Sequence, residues 1–243
     1  SRYTPHFAKV IGITDDCDLI SEYVGGSDTF FSWLGSTQFN FDQYISILYQ
    51  VCIGLCIAQR SCEFVHGDLF PWNILLKSVL GSYECVVGAD KVVTISEVPK
   101  VPVVIDYGKS RVVYKDKCYE FIQTKKFNPI YDVLCLLLSS LSVVIRAKQI
   151  RKERDNDFLR LVNFLAETEF CPCKFTTFPQ ARQFVFDNSG FSSMLLLELK
   201  DLDNKTPMDF CSYLAENFPI IGKIANVACL LYTSDAADDT PCV

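Results

Sequence analysis

The stretch "EFVHGDLFPWNILL", residues 63 to 76, sets His66, Asp68 and Asn73 at fixed offsets inside a strongly apolar run. An unpaired carboxylate in a core costs several kcal/mol, on the order of the penalty for any buried polar group without partners. These groups therefore either satisfy one another or face a cleft. About thirty residues on, "VPVVIDYGKS" repeats the pattern, an apolar run that ends in Asp106 and then a glycine. Two carboxylates at the ends of strand-like runs limit the folds available to those that bring such ends together.

The rest of the chain reads as a little β followed mostly by α. Residues 7–13 and 17–24 are β-rich and separated by Thr14-Asp15-Asp16, which predicts two antiparallel strands. After Gly25-Gly26, Ser27 or Asp28 is placed to cap a short helix through Leu34. From Phe41 to about Ser61, apolar residues recur at helical spacing, with Asp42 favourable in the first turn. Residues 77–100 read as a hairpin or ordered insertion, and 101–105 as a strand ending at Asp106. Residues 107–128 read as a long loop. Helices are predicted at 131–146, 156–168, 179–187, 191–200 and 207–217.

Composition narrows the function. At 243 residues and 49% hydrophobic, the chain can bury a substantial core. A formal net charge of -6 argues against a general binder of nucleic acid or of acidic membranes. The apolar stretch Val133 to Ile145 is too short to span a bilayer, and no signal-peptide pattern opens the sequence. The twelve cysteines are scattered through apolar segments, as in Cys52, Cys56, Cys135 and Cys211, where they act as small hydrophobes. Only Cys171-Pro172-Cys173 is clustered, with no second pair at zinc-ligand spacing. Reduced thiols in a cytoplasmic setting, nuclear or viral-host cytoplasm included, are expected.

The order H-G-D-L-x-x-x-N at His66–Asn73, a hairpin, and D-Y-G at Asp106–Gly108 resembles the protein-kinase-like superfamily, whose set is H-R-D-L-x-x-x-N plus D-F-G. "ISEYVGG" upstream is similar to the hinge between the two kinase lobes. The resemblance covers roughly residues 5 to 145. It implies an α+β, protein-kinase-like fold: remnant N-lobe strands and hinge at 1–24, and a helical C-lobe at 25–228. It also implies ATP and Mg²⁺ as cofactors and transfer of the γ-phosphate to a Ser/Thr hydroxyl of a protein substrate. Asp68 would orient the acceptor hydroxyl, while Asn73 and Asp106 would hold Mg²⁺. The hinge residues Glu22 and Val24 would meet adenine, with Leu75 and Ile105 lining its pocket and Ser21 at the gatekeeper position. His66 would brace the loops, and Asp132 would anchor the catalytic loop unless it is a plain helix cap.

Departures from the pattern matter too. Gly67 replaces the Arg that senses activation-loop phosphate, and Phe70 stands where most Ser/Thr kinases carry a Lys. H-G-D also occurs in aminoglycoside and choline phosphotransferases, so a small-molecule substrate is the alternative. The hinge and the insert before Asp106 are more similar to haspin-like kinases and those of large DNA viruses. A pseudokinase is disfavoured because Asp68, Asn73 and Asp106 are all present. No Gly-rich loop or V-A-I-K-type Lys occurs, so an N-terminally truncated, inactive fragment is expected. "CLLYTSDAAD", from Cys229, is similar to translated sequencing adapter, so residues 229–243 are expected to be an artefactual tail, as in an assembled environmental read.

Overall fold

Strand and helix alternate at first, and helices dominate later. The computed structural model describes residues 4–13, 19–79, 81–88, 91–120, 127–171, 173–190 and 205–229 and is a mixed α and β protein. It opens with an antiparallel hairpin, β1 (Val10–Ile13) and β2 (Leu19–Ser21), bulged between Val10 and Gly12. These strands are shorter than the sequence suggests. Phe7 leaves the hairpin to form a parallel bridge to Val104, because the Ala8 amide and the His6 carbonyl are claimed by the Val104 backbone.

The short strand β3 (Asp28–Thr29) runs directly into α1 (Phe30–Leu34). Its N-cap is Thr29, whose hydroxyl accepts from the Ser32 amide at 3.1 Å, rather than Ser27 or Asp28. The cap moves because Ser27 donates to the Val24 carbonyl and Asp28 is held in the sheet. Helix α2 (Phe41–Cys62) starts at Asn40, which caps the Gln43 amide. It is buried on almost every side, from Tyr44 through Ile57, as expected of a helix that is apolar all round. By length and composition α2 could cross a membrane, but 83% of its apolar window is buried inside the protein, so this is weak evidence for a span.

Two small sheets follow. Strand β4 (Ile74–Ser78) sits between β3 and, three strands on, the partner strand at residues 100–104. Between them, the hairpin β5 (Tyr83–Val86) and β6 (Lys91–Ile95) answers the expected insertion. Strand β7 (Lys100–Val104) pairs with β4 from Ser78↔Lys100 to Ile74↔Val104. Within the expected loop 107–128 lies another hairpin, β8 (Val112–Tyr114) and β9 (Lys117–Tyr119), its turn made by Lys115 and Asp116 at positive φ.

Helix α3 (Tyr131–Arg146) matches its predicted bounds and packs on α1, with the Tyr44 hydroxyl of α2 2.8 Å from that of Ser140. The predicted 156–168 helix divides into α4 (Asp155–Val162) and a 3-10 stretch, Asn163–Glu167. Then come α5 (Phe178–Asn188), α6 (Pro207–Asn217) with a capping box from Thr206 and Asp209, and α7 (Pro219–Ile224). The helix predicted at 191–200 lies outside the described residues. Finally β10 (Ala225–Cys229) joins β6, with Cys229 opposite Lys91. Cys229, the first residue of the expected tail, is thus taken into backbone pairing, since a ladder asks for peptide groups and not for a particular side chain. Residues 230–243 lie outside the described residues.

Candidate functional site

The loop between α2 and β4 is held from below by one buried carboxylate. Asp132 accepts from the His66 amide at 2.6 Å and from the Gly67 amide at 3.0 Å. Burial pushes its carboxyl up, opposed by the nearby His66 and by those two amide bonds. Asp132 is not a helix cap: Ile130 occupies that position, and the carboxylate points away to the loop. His66 then ties this loop to the next. Its Nε2 donates to the Ile105 carbonyl at 2.9 Å, which leaves Nδ1 to accept from the Asp68 amide at 3.3 Å.

The β4–β7 ladder brings the other residues to one edge. Asn73 immediately precedes β4, Asp106 lies just beyond β7, and the Ile105 amide donates to the Asn73 carbonyl at 3.0 Å. Nδ2 of Asn73 donates to the Asp68 carbonyl at 2.8 Å. This turns Oδ1 of Asn73 the other way, with no hydrogen bond from the described residues. Asp106 adopts a left-handed conformation, φ 63°, and one carboxylate oxygen accepts a long bond, 3.4 Å, from the Gly108 amide. Asn73 and Asp106 therefore offer hard oxygen donors at one strand edge, a set that suits Mg²⁺, which takes few protein ligands and keeps water and phosphate oxygens. No group of three or more His, Cys, Asp or Glu that could hold a metal occurs among the described residues.

Lys109 was not singled out from the sequence. Its ammonium lies 3.1 Å from the Asp68 carboxylate. Lys109 stands three residues past Asp106, so the sequence already placed a cation close to the D-Y-G turn. Gly67 makes this arrangement possible. Its φ is +75°, and a Cβ there would fall 2.6 Å from the Lys109 carbonyl oxygen. The departure from H-R-D thus has a steric cause, since the D-Y-G-K loop rests on the bare Gly67 backbone. Tyr107 fixes that loop from its other side, its hydroxyl donating to the Val104 carbonyl at 2.7 Å or to that of Ala8 at 3.0 Å.

The hinge candidates fall in two groups. Glu22 and Val24 line a cavity of about 250 Å³ together with Lys77, Val79, Val101 and Val103. Leu75 and Ile105 are outside that lining, but cross-strand pairing places Leu75 beside Val103, and Ile105 continues the same alternate face toward Asp106. Ser21 is exposed on β2, and Glu22 turns its carboxylate onto the Lys9 amide at 3.0 Å.

No protein-family model matches the chain. It is 27% identical over 239 residues to "Uncharacterized protein 179R" of Invertebrate iridescent virus 6, covering 84% of this chain and 19% of that protein. It is also 28% identical over 192 residues to "Uncharacterized protein 035R" of Invertebrate iridescent virus 3, covering 72% and 17%. A third relative, "Probable kinase 098L" of the same virus, is 28% identical over 152 residues, covering 59% of this chain and 29% of that protein. The chain spans less than a third of the length of each of these relatives. Weak, partial similarity to a protein named as a probable kinase is thus what the comparisons add to the geometry.

Proposed function

We propose that this chain carries the metal- and acceptor-binding half of an ATP-dependent phosphotransferase of the protein-kinase-like fold, acting on Ser or Thr hydroxyls of a protein. The observation that carries the reading is the double tie at His66. Its amide is held by Asp132 and its ring holds the Ile105 carbonyl, so the loop bearing Asp68 and the strand end bearing Asp106 are fixed to one another. Phosphoryl transfer asks mainly for such positioning. Asp68 would orient an acceptor hydroxyl and receive its proton. Lys109, paired with that carboxylate, would put a cation near the transferred group. Asn73 and Asp106 would hold Mg²⁺, which when bound would offset charge on the phosphates. The cavity at Glu22 and Val24, with the apolar face of Leu75 and Ile105 beside it, would receive adenine.

The direct test is Mg²⁺-dependent ATP binding by calorimetry and thermal shift. Wild type should bind, Asp106→Asn should lose most of the Mg²⁺-dependent component, and Asp68→Asn should keep it. Where transfer is measured, Asp68→Asn should lower kcat by about 100-fold or more, as for loss of a general base. ATP binding that ignores both Mg²⁺ and Asp106→Asn would sink the proposal.

A further inference from the structure

A second cavity, about 740 Å³, opens at Asp68 and is walled by α1, the catalytic loop and the C-terminal half of α3 as far as Arg146. Its charge runs against that of the whole chain. The protein is formally -6, yet the lining carries a single carboxylate, Asp68, and two cations, Lys109 and Arg146. Lys109 is already paired with Asp68. Arg146 is exposed, lies 5.8 Å over the Phe186 ring, and takes no ion pair among the described residues. A cleft with one uncompensated cation favours an anionic group over a basic one.

One wall is aromatic. Phe70 and Trp72 stack at 4.7 Å and 12°, and Phe31 meets Trp72 edge-on at 6.1 Å. Trp72 and Phe31 remain 48% and 45% exposed, so large rings fixed by packing face the opening. Such surfaces gain most from covering by another apolar or ring side chain. The volume lies in the upper part of the range for ligand clefts, roughly 300–1,000 Å³.

We infer that this groove selects an acidic segment of a protein substrate: the acceptor hydroxyl at Asp68, an apolar ring over Trp72 and Phe31, and a Glu or Asp side chain at Arg146. The role of the hydroxyl rests on the phosphotransferase reading; the selection itself needs no transfer.

Binding can be followed without activity. The chain has two tryptophans, and Trp33 is 2% exposed, so a change in intrinsic fluorescence on groove binding reports Trp72. The probes are a Ser peptide flanked by Phe and Glu, the same peptide with Lys for Glu, choline, and an aminoglycoside. The acidic peptide should give a saturable change and bind at least tenfold more tightly than the basic one. Trp72→Phe should abolish the signal. Arg146→Glu should weaken the acidic peptide at least tenfold and favour the basic one, with Arg146→Gln intermediate; both sites are on the surface, and melting temperatures should match wild type. Equal binding of the two peptides, tighter binding of choline or the aminoglycoside, or indifference to both Arg146 variants would overturn the inference. Absent Mg-ATP binding with this selectivity intact would remove the phosphotransferase reading and leave the groove assignment standing.

Discussion

At the scale of residues, two positions show how closely the backbone is packed in and around the site. Gly67 is one. Any side chain there meets the Lys109 carbonyl at 2.6 Å in a left-handed backbone, and neither atom is the free end of a flexible chain. Gly67→Arg, which would give the order H-R-D, should therefore separate the two loops. We expect a loss of about 2 kcal/mol or more by urea denaturation, the usual scale for strain at such a position. Mg-ATP stabilisation should fall with it. Unchanged stability would mean that the D-Y-G-K loop does not rest on Gly67. His6 is the other. It is fully buried, with Nδ1 donating to the Pro102 carbonyl at 3.0 Å, and Gly54 leaves room for its ring, since a Cβ there would come 2.8 Å from the His6 Cβ. Burial lowers its pKa from 6.5 to about 4. Between these values the unfolded chain binds a proton that the folded protein refuses. Stability tied to His6 is therefore present above about pH 6.5 and lost progressively as pH falls toward 4, by roughly 3 kcal/mol in all at 1.36 kcal/mol per unit. Urea midpoints measured from pH 7 to 4.5 should fall in wild type and fall less in His6→Gln. Parallel slopes would assign the acid lability elsewhere.

At the scale of elements, the long periodic helices were legible and the short strands were not. α3 and α6 keep their predicted bounds because an apolar stripe, or an unbroken apolar run with a clear start such as Thr206-Pro207, leaves few alternatives. The β8–β9 hairpin was hidden in a stretch that read as loop, since three-residue strands, one half-buried and one exposed along its length, carry no alternation to detect. The candidate site divides the same way. His66, Asp68, Asn73 and Asp106 stand at motif spacings, whereas Lys109 enters only through a contact between two loops. β10 was invisible for a further reason: its partner, β6, is more than a hundred residues earlier, and only the fold brings them together. This last strand has a testable weight. It pairs all five residues from Lys91 to Ile95, two of which, Val93 and Ile95, are buried. A chain ending at Ile224 should melt about 4–8 °C below one ending at Cys229, as expected for a loss near 2 kcal/mol at this chain length. Equal melting temperatures would show that the ladder contributes nothing to stability.

At the scale of the whole molecule, α2 is the organising element and the β1–β2 hairpin is its opposite. α2 packs against α6, α7, β5, β7 and β8, so the helices and the two three-stranded sheets share one core and should open together. Among the described residues the hairpin has no comparable packing on another element. Val10, Ile11 and Ile20 are 44%, 64% and 47% exposed, and a two-stranded ribbon is marginal alone. Among the described residues its ties to the remainder run through Phe7 and Ala8 at β7, next to Glu22 and Val24, which line the cavity of about 250 Å³. Native-state hydrogen exchange should therefore resolve two levels. Amides of α2 and α3 should exchange only by global opening, and those of β1 and β2 by a local opening of far lower free energy. If the hinge cavity receives adenine, Mg-ATP should slow exchange in β2 and at Glu22–Val24, and leave β10 as it was. Protection of the hairpin equal to that of α2 without nucleotide would contradict the two-level picture. Slowing spread evenly over β10 and the hairpin would place the nucleotide's effect in global stability, not at the hinge.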